Sequence, residues 1–131
     1  TSWVFGEFGP NFVYTMKRLA ETYPKLTVVA DQIGRPTWTR TLAEFLVHLS
    51  ETKAAYGIYH LSNDDSCSWH EFASEILKDT AVEVAPVTSE EYPQKAYRPR
   101  LSVMDLSKAK ETGFEIPSWK EALQNFLISL N

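Results

Sequence analysis

Short strand-type apolar runs alternate along this chain with segments whose apolar residues recur at helical spacing. The strand-type runs occupy residues 1–6, 26–30, 57–62 and 82–87, and helical patterns lie between and after them. Strands that alternate with helices are typical of α/β domains. A chain of 131 residues is long enough for one such domain. We therefore expect a single α/β region over residues 1–131.

Polar residues at helix ends indicate where the helices begin. The expected N-cap residues are Asn11, Ser68, Asp105 and Ser118. A glutamate lies three residues after each of the two serines: Glu71 follows Ser68, and Glu121 follows Ser118. This spacing predicts two capping boxes. Pro24 is expected to end the first helix, and Gly113 the short helix that Asp105 opens.

The second predicted helix and two polar segments complete this outline. The helix is expected to bury one apolar face, made of Leu42, Phe45, Leu46 and Leu49. Residues 31–37 and 89–100 are polar and contain glycine or proline, so we expect a loop at each, the second of them an ordered surface loop.

The net charge limits the kinds of partner expected for this protein, and the single cysteine indicates the kind of compartment. The formal net charge of −4 argues against a general nucleic-acid binder, which needs a basic surface to displace counterions from phosphates. The single cysteine, Cys67, cannot form an internal disulfide, which fits a reducing compartment. The chain has neither an apolar run of about 18 residues nor a signal-peptide opening. We expect a cytoplasmic protein with no nucleic-acid or membrane partner.

The residues that carry chemistry do not form a complete catalytic set. The chain lacks GxGxxG, GxxxxGK[ST] and GxSxG patterns, so no phosphate cradle or hydrolase elbow is predicted. Cys67 and His70 have the spacing of a metal pair, but no further ligands join them at the spacing a structural zinc site needs. A partly buried thiol beside a surface histidine is the preferred interpretation.

The first residues suggest that the chain continues a longer protein. It begins without Met and enters a strand-type run directly. We expect the C-terminal part of a larger protein; the alternative is processing or an ordinary N-terminal edge strand.

Three stretches carry a family resemblance. They are TSWVFG at 1–6 leading to GPNF at 9–12, then VADQIGRPT at 29–37, then GIYHLS at 57–62. In that order and spacing they resemble the C-terminal half of the dTDP-4-dehydrorhamnose reductases, which are extended short-chain dehydrogenases/reductases. The resemblance implies an α/β substrate-binding region whose strands at 2–5 and 57–61 complete the Rossmann sheet of the parent enzyme.

The same resemblance implies a two-part enzyme. Its N-terminal half would bind NADPH and carry a Tyr-x-x-x-Lys pair, and it would reduce the 4-keto group of dTDP-4-dehydrorhamnose to give dTDP-L-rhamnose for cell-surface polysaccharide. Here Tyr14–Lys17 and Tyr92–Lys95 are one residue too short, and Tyr14–Arg18 has the wrong cation. We expect no catalytic residue in this chain and no reductase activity from it alone.

The resemblance also implies substrate-binding residues, each with a simpler alternative. Trp3 would offer an apolar face to the sugar, or it is a core tryptophan. Asn11 would hold a helix N-terminus toward phosphate, or it is a plain cap. Gln32 would pair with the thymine edge. Arg98 and Arg100 would bind the diphosphate, although either alone is more often a surface arginine.

Three further expectations follow from this resemblance. Some relatives dimerise around a metal held by a glutamate at the position of Arg40, and since a cation cannot ligate a metal we expect neither that metal nor that dimer. Strand edges severed from the parent sheet would make the isolated chain self-associate. The alternatives for function are a non-catalytic regulatory or binding subunit, or another nucleotide-sugar reductase or epimerase.

Overall fold

The computed structural model describes residues 1–130, which form six short strands and five helices. The strands are β1 (Val4–Phe5), β2 (Lys25–Val29), β3 (Ile33–Gly34), β4 (Thr37–Trp38), β5 (Cys67–Ser68) and β6 (Glu83–Val87). The helices are α1 (Phe12–Ala20), α2 (Thr39–Glu51), α3 (Trp69–Ile76), α4 (Ser107–Glu111) and α5 (Trp119–Ser129). Strands and helices alternate in part, and the expected α/β class is confirmed.

The strands of the described chain pair into three two-stranded sheets. β2 and β6 run parallel over five residues, from Lys25 opposite Glu83 to Val29 opposite Val87. β1 and β4 are also parallel, whereas β3 and β5 are antiparallel. Parallel partners need a crossover, and α3 lies in the β2–β6 crossover and packs on both strands. Beyond the carboxyl end of β2 the chain forms β3 and β4, and β3 pairs with β5, which directly precedes α3.

Four aromatic rings from three elements lie at the centre of the main core. Phe5 of β1 lies with its ring centroid 5.6 Å from Phe72 of α3 and 5.3 Å from Phe126 of α5. Trp119 meets Phe72 edge-on at 5.7 Å. All four side chains are buried. Because edge-to-face aromatic pairs add to the gain from burial, this cluster joins α3 and α5 to the short β1–β4 sheet.

A buried asparagine links the main core to the loop before β5. Asn63 is fully buried, and its Oδ1 accepts the Trp38 backbone N–H at 2.8 Å. Its Nδ2 donates to Thr41 Oγ1 and to the Pro117 carbonyl, both at 3.1 Å. One side chain thus satisfies groups at the end of β4, in α2 and just before α5.

Residues 57–62 do not form the strand that their apolar pattern predicts. Within the described chain no strand lies beside them to complete a ladder, and Ile58 is 81% exposed. The Ile58 carbonyl instead accepts the Lys108 ammonium at 2.9 Å. A second, small cluster of Phe45, Leu61 and Ala109 anchors the segment. The prediction for this segment is wrong for the chain by itself because β structure requires a paired neighbour.

Several element boundaries differ from expectation. The first strand covers only Val4–Phe5, and the predicted loop 31–37 contains β3 and the first residue of β4. Leu46 is 67% exposed on α2, whereas Phe45 is buried, so the predicted buried face of α2 is wrong at Leu46. An apolar residue at helical spacing is buried only if another element covers that side.

Three of the four predicted N-cap residues are confirmed. Asn11 caps α1 by accepting the Tyr14 N–H at 3.2 Å, and both hydrogen bonds of the Ser68–Glu71 capping box are present. Ser118 caps α5 by accepting the Glu121 N–H at 3.2 Å, but the return bond from the Ser118 N–H to the Glu121 carboxylate is absent among residues 1–130, so the second predicted capping box is only half formed. The prediction for α4 is wrong by one residue. Its N-cap is Leu106, because the Asp105 carboxylate accepts the Ser107 N–H and hydroxyl in a turn before the helix.

Candidate functional site

A cavity of about 640 Å³ lies between β2, α1, α3 and the segment 92–102. Its volume is within the range of small-molecule sites. The lining is mainly apolar, with a few polar groups. The residues at the cavity are Ser2, Trp3, Phe12, Met16, Thr27, Val28, Val29, Gln32, Trp69, Tyr92, Gln94, Arg98, Pro99 and Ser102. Three of the five predicted site residues are therefore brought to one cavity: Trp3, Gln32 and Arg98.

Trp3 is held in an unusual conformation at this cavity. Its φ of 47° lies in the left-handed region, which a bulky residue adopts only at a cost. Its ring stacks on Trp69 with a centroid distance of 3.7 Å and an interplanar angle of 12°. A Cβ at Gly34 would collide with the Trp3 ring, lying 2.5 Å from Cζ2. Trp69 and Gly34 thus fix the Trp3 ring, and Trp3 remains half-buried at the cavity.

Gln32 follows the carboxyl end of β2 and is buried. Its Nε2 donates to Ser89 Oγ at 3.0 Å, across the gap between the ends of β2 and β6. Ser89 Oγ in turn donates to Asp31 Oδ1 at 2.6 Å. The side chain is therefore held firmly while it lines the cavity, as an amide that recognises a ligand must be.

The two arginines around Pro99 are placed differently. Arg98 lies at the cavity, exposed, with its Nε donating to Gln94 Oε1 at 3.3 Å. Arg100 is not part of the cavity lining in the described chain, and its guanidinium lies 3.6 Å from the Glu90 carboxylate. Residues i and i+2 of a regular extended segment would share one side, but Arg100 pairs with Glu90 outside the lining and the two arginines do not converge here. An exposed ion pair of this kind contributes little to stability.

Asn11 is committed to the turn between β1 and α1. Besides capping α1, its Nδ2 donates to the Gly6 carbonyl at 2.9 Å and to the Gly9 carbonyl at 3.4 Å. Among residues 1–130 it does not line the cavity, although its neighbour Phe12 does. The predicted phosphate-binding role of Asn11 stays a prediction.

Sequence reasoning did not place Trp69 among the site residues and missed its contact with Trp3. It also missed Ser89, which it treated as part of a surface loop, and Tyr92, which was considered only as half of a catalytic pair. One signal could have pointed to Trp69: it directly follows the N-cap Ser68 and so begins α3 beside the end of β5. Nothing in the pattern of 89–100 indicates which of its residues reach the cavity.

Cys67 and His70 lie at a second cavity, of about 650 Å³, with several carboxylates. Burial raises the pKa of the Cys67 thiol to about 12, so the thiol is not an ionised ligand near neutral pH. His70 Nε2 is 3.0 Å from the Val84 carbonyl oxygen. Over the residues described, no three His, Cys, Asp or Glu side chains converge as a metal site would require. Arg40, the position where no metal ligand is expected, forms an ion pair with Glu44 in which the Arg40 Nε lies 2.9 Å from Glu44 Oε1.

The glycines of this chain do not fit a dinucleotide cradle. A Rossmann cradle uses three glycines in one turn between a strand and a helix. Here the turn before α1 holds only Gly6 and Gly9, and the Asn11 side chain occupies the helix end behind them. Residues 1–130 also contain no helix long and apolar enough to cross a bilayer.

Comparison with known proteins agrees with these features. The fold and cavity define an α/β ligand-binding region. The chain belongs to the family described as the RmlD substrate binding domain, whose model matches residues 1–131.

Two solved structures are similar to the whole of this fold. The dTDP-4-dehydrorhamnose reductase of Bacillus anthracis str. Ames, solved in complex with NADP, is 43% identical with a TM-score of 0.92. The match covers 98% of this chain and 46% of that one. The reductase orthologue of Clostridium acetobutylicum ATCC 824 is 38% identical with the same TM-score of 0.92 and the same two coverages.

Curated relatives show the same relation in sequence. The spore coat polysaccharide biosynthesis protein SpsK of Bacillus subtilis (strain 168) is 47% identical over 129 residues, which are 97% of this chain and 45% of that protein. The dTDP-4-dehydrorhamnose reductase of Aggregatibacter actinomycetemcomitans is 39% identical, with coverages of 95% and 47%. The chain thus spans somewhat less than half the length of these relatives.

Proposed function

We propose that residues 1–131 are the nucleotide-sugar-binding region of an NADPH-dependent dTDP-4-dehydrorhamnose reductase. The reaction would reduce the 4-keto group of dTDP-4-dehydrorhamnose to give dTDP-L-rhamnose for cell-surface polysaccharide. The observation that carries the proposal is the convergence of Trp3, Gln32 and Arg98 on one cavity.

Each of these three side chains suits a different part of a dTDP-sugar. The face of the Trp3 ring that is not stacked on Trp69 would offer an apolar surface to the C–H groups of a sugar. Gln32 offers an amide for the polar edge of thymine. The exposed Arg98 guanidinium can bind a diphosphate through two parallel N–H groups. A cavity of about 640 Å³ leaves room for the ligand.

The cofactor and the catalytic groups would come from outside these residues. The glycines of this chain do not form a dinucleotide cradle, and its tyrosines lack the Tyr-x-x-x-Lys spacing. We propose that the rest of the reductase binds NADPH and protonates the product, which agrees with the NADP complex of the Bacillus anthracis relative. The names of the relatives are those of biosynthetic enzymes, which supports a cytoplasmic site of action.

The relatives favour this proposal over the alternatives. Several proteins at least 30% identical to the chain are named dTDP-4-dehydrorhamnose reductase. The epimerases that share the fold are 17% or 10% identical, which is a likeness of fold alone. No observation favours a non-catalytic subunit.

The test is reductase activity in the full-length protein that contains this chain. NADPH oxidation should depend on dTDP-4-dehydrorhamnose and should be absent with the isolated 131-residue chain. The matched variant is Trp3→Phe, which keeps an aromatic face and should retain most of the activity. A full-length protein that binds NADPH but does not oxidise it with this sugar nucleotide would contradict the proposal.

A further inference from the structure

Asp31, Gln32 and Ser89 form a hydrogen-bonded chain at the edge of the cavity. Asp31 Oδ1 accepts both the backbone N–H of Ser89 at 2.9 Å and its hydroxyl at 2.6 Å. Gln32 Nε2 lies 3.0 Å from the same hydroxyl oxygen. Asp31 and Ser89 lie outside the cavity lining among residues 1–130, so they would reach a ligand only through Gln32.

The protons that Asp31, Ser89 and Gln32 can share fix the orientation of the Gln32 amide. The two hydrogen bonds from Ser89 lower the pKa of Asp31 below its ordinary value, so Asp31 is a carboxylate and can only accept. The single hydroxyl proton of Ser89 is therefore given to Asp31. Because Ser89 has no second proton, the group of Gln32 that meets it must be the donor, its NH₂.

The one acceptor of Gln32 is its carbonyl oxygen, because an amide nitrogen can only donate. No hydrogen bond joins Oε1 to another residue in the part of the chain that the structure describes, although Gln32 is 8% exposed overall. Neither is Oε1 one of the buried atoms that lack a partner, so it is accessible, and it belongs to a residue that lines the cavity. The site therefore presents a fixed acceptor to a ligand.

We propose that Asp31 and Ser89 are positioning residues that hold the Gln32 carbonyl oxygen toward the nucleobase, so that the site selects a pyrimidine with a ring N3–H. Thymine and uracil carry that proton, whereas N3 of cytosine is an acceptor and would face another acceptor when the sugar and diphosphate hold the base in the same position, out of reach of its N4–H₂ donor. This inference rests on the proposed function, because it assumes that the base binds beside Gln32. An amide free to rotate could serve either kind of base, and the hydrogen-bonded chain removes that freedom.

The test compares two nucleotides that differ only at the pyrimidine edge, dUDP and dCDP. Binding to the full-length protein is measured by isothermal titration calorimetry. The wild-type protein should bind dUDP at least about tenfold more tightly than dCDP, since the wrong base leaves a polar group unpaired. In Ser89→Ala the amide can rotate, so the preference should fall to within about threefold.

Further variants separate positioning from structure. Asp31→Asn can donate to Ser89, which allows the hydroxyl to turn toward Gln32, so it should also weaken the preference. Ser89→Thr keeps the hydroxyl and should retain it. The matched control is Glu91→Gln, which changes a carboxylate that accepts from Thr88 in the same turn and makes no hydrogen bond to Gln32.

The outcomes distinguish this inference from the proposed function. A wild-type preference for dUDP that persists in Ser89→Ala and Asp31→Asn would overturn the positioning role and leave the substrate class intact. A wild-type protein without preference would also overturn it. If neither nucleotide binds to a folded wild-type protein, the proposed function fails and the inference fails with it. Thermal melting of each variant shows whether it is folded.

Discussion

The clearest prediction for stability concerns Asn63→Ala. The Asn63 side chain is fully buried and makes three hydrogen bonds that connect β4, α2 and the start of α5. Alanine would remove all three and leave the buried Trp38 N–H without a partner, whereas the Pro117 carbonyl still accepts the Asp64 N–H at 2.9 Å. The Thr41 hydroxyl can rotate toward another acceptor and should lose less.

The expected loss of unfolding free energy is about 2 kcal/mol. A buried backbone group left without a partner costs roughly 1–3 kcal/mol, and one such group, the Trp38 N–H, arises here. We take about 2 kcal/mol, the middle of that range, because a water molecule entering the space of the amide would offset the smaller losses at Thr41 and Pro117. For a domain of this size such a loss lowers Tm by roughly 5–10 °C.

Denaturant unfolding followed by circular dichroism measures this quantity. The matched control is Asn125→Ala on the exposed side of α5, which should leave the unfolding free energy unchanged or slightly higher because alanine favours a helix. If Asn63→Ala costs less than about 0.5 kcal/mol, the hydrogen bonds of this side chain do not hold these elements together and the reasoning is wrong.

Three further predictions concern binding, pH and association. Trp3→Ala in the full-length protein should weaken productive substrate binding while NADPH affinity stays nearly intact; a loss of stability of roughly 3–5 kcal/mol with unchanged kinetics of the folded fraction would instead indicate a core residue. The hydrogen bond from Lys110 at 2.6 Å lowers the pKa of Asp64, so its stabilisation is present above the unfolded value of about 4 and is lost as pH falls through the lower folded value. Asp64→Asn should therefore lose more stability at pH 6 than at pH 2, by less than about 1 kcal/mol because the pair is partly solvated, and an equal loss at both pH values would refute this. Light scattering should show that the isolated 131-residue chain self-associates, whereas a strictly monomeric species with cooperative melting at high temperature would contradict that expectation.

Local signals in the sequence predicted the parts of the fold that depend on local chemistry. The caps at Asn11, Ser68 and Ser118 were predictable because an N-cap needs only the side chain and the backbone of the next turn. Strand formation at 57–62 was not, since a strand depends on a neighbour that the sequence pattern does not reveal. Ile58 and Leu61 both belong to the apolar run at 57–62, yet Ile58 is exposed and Leu61 is buried.

The candidate site was predictable in residue type but not in arrangement. Trp3, Gln32 and Arg98 were chosen from the chemistry of a dTDP-sugar and the family resemblance, and the structure brings them to one cavity. Arg100 was chosen on the same grounds and lies beside Glu90 instead. Ser89 lies 57 residues from Gln32 in the chain, and no spacing rule connects the two.

A crystal structure of the full-length protein with dTDP-L-rhamnose would test the central claim most directly. The account predicts that the sugar packs on the Trp3 ring, that the thymine N3–H donates to Gln32 Oε1, and that Arg98 contacts the diphosphate. The measurement reads the position of the bound ligand and not its affinity. A well-ordered dTDP-L-rhamnose bound away from this cavity, with Trp3 still stacked on Trp69 and the cavity filled by solvent, would contradict the account.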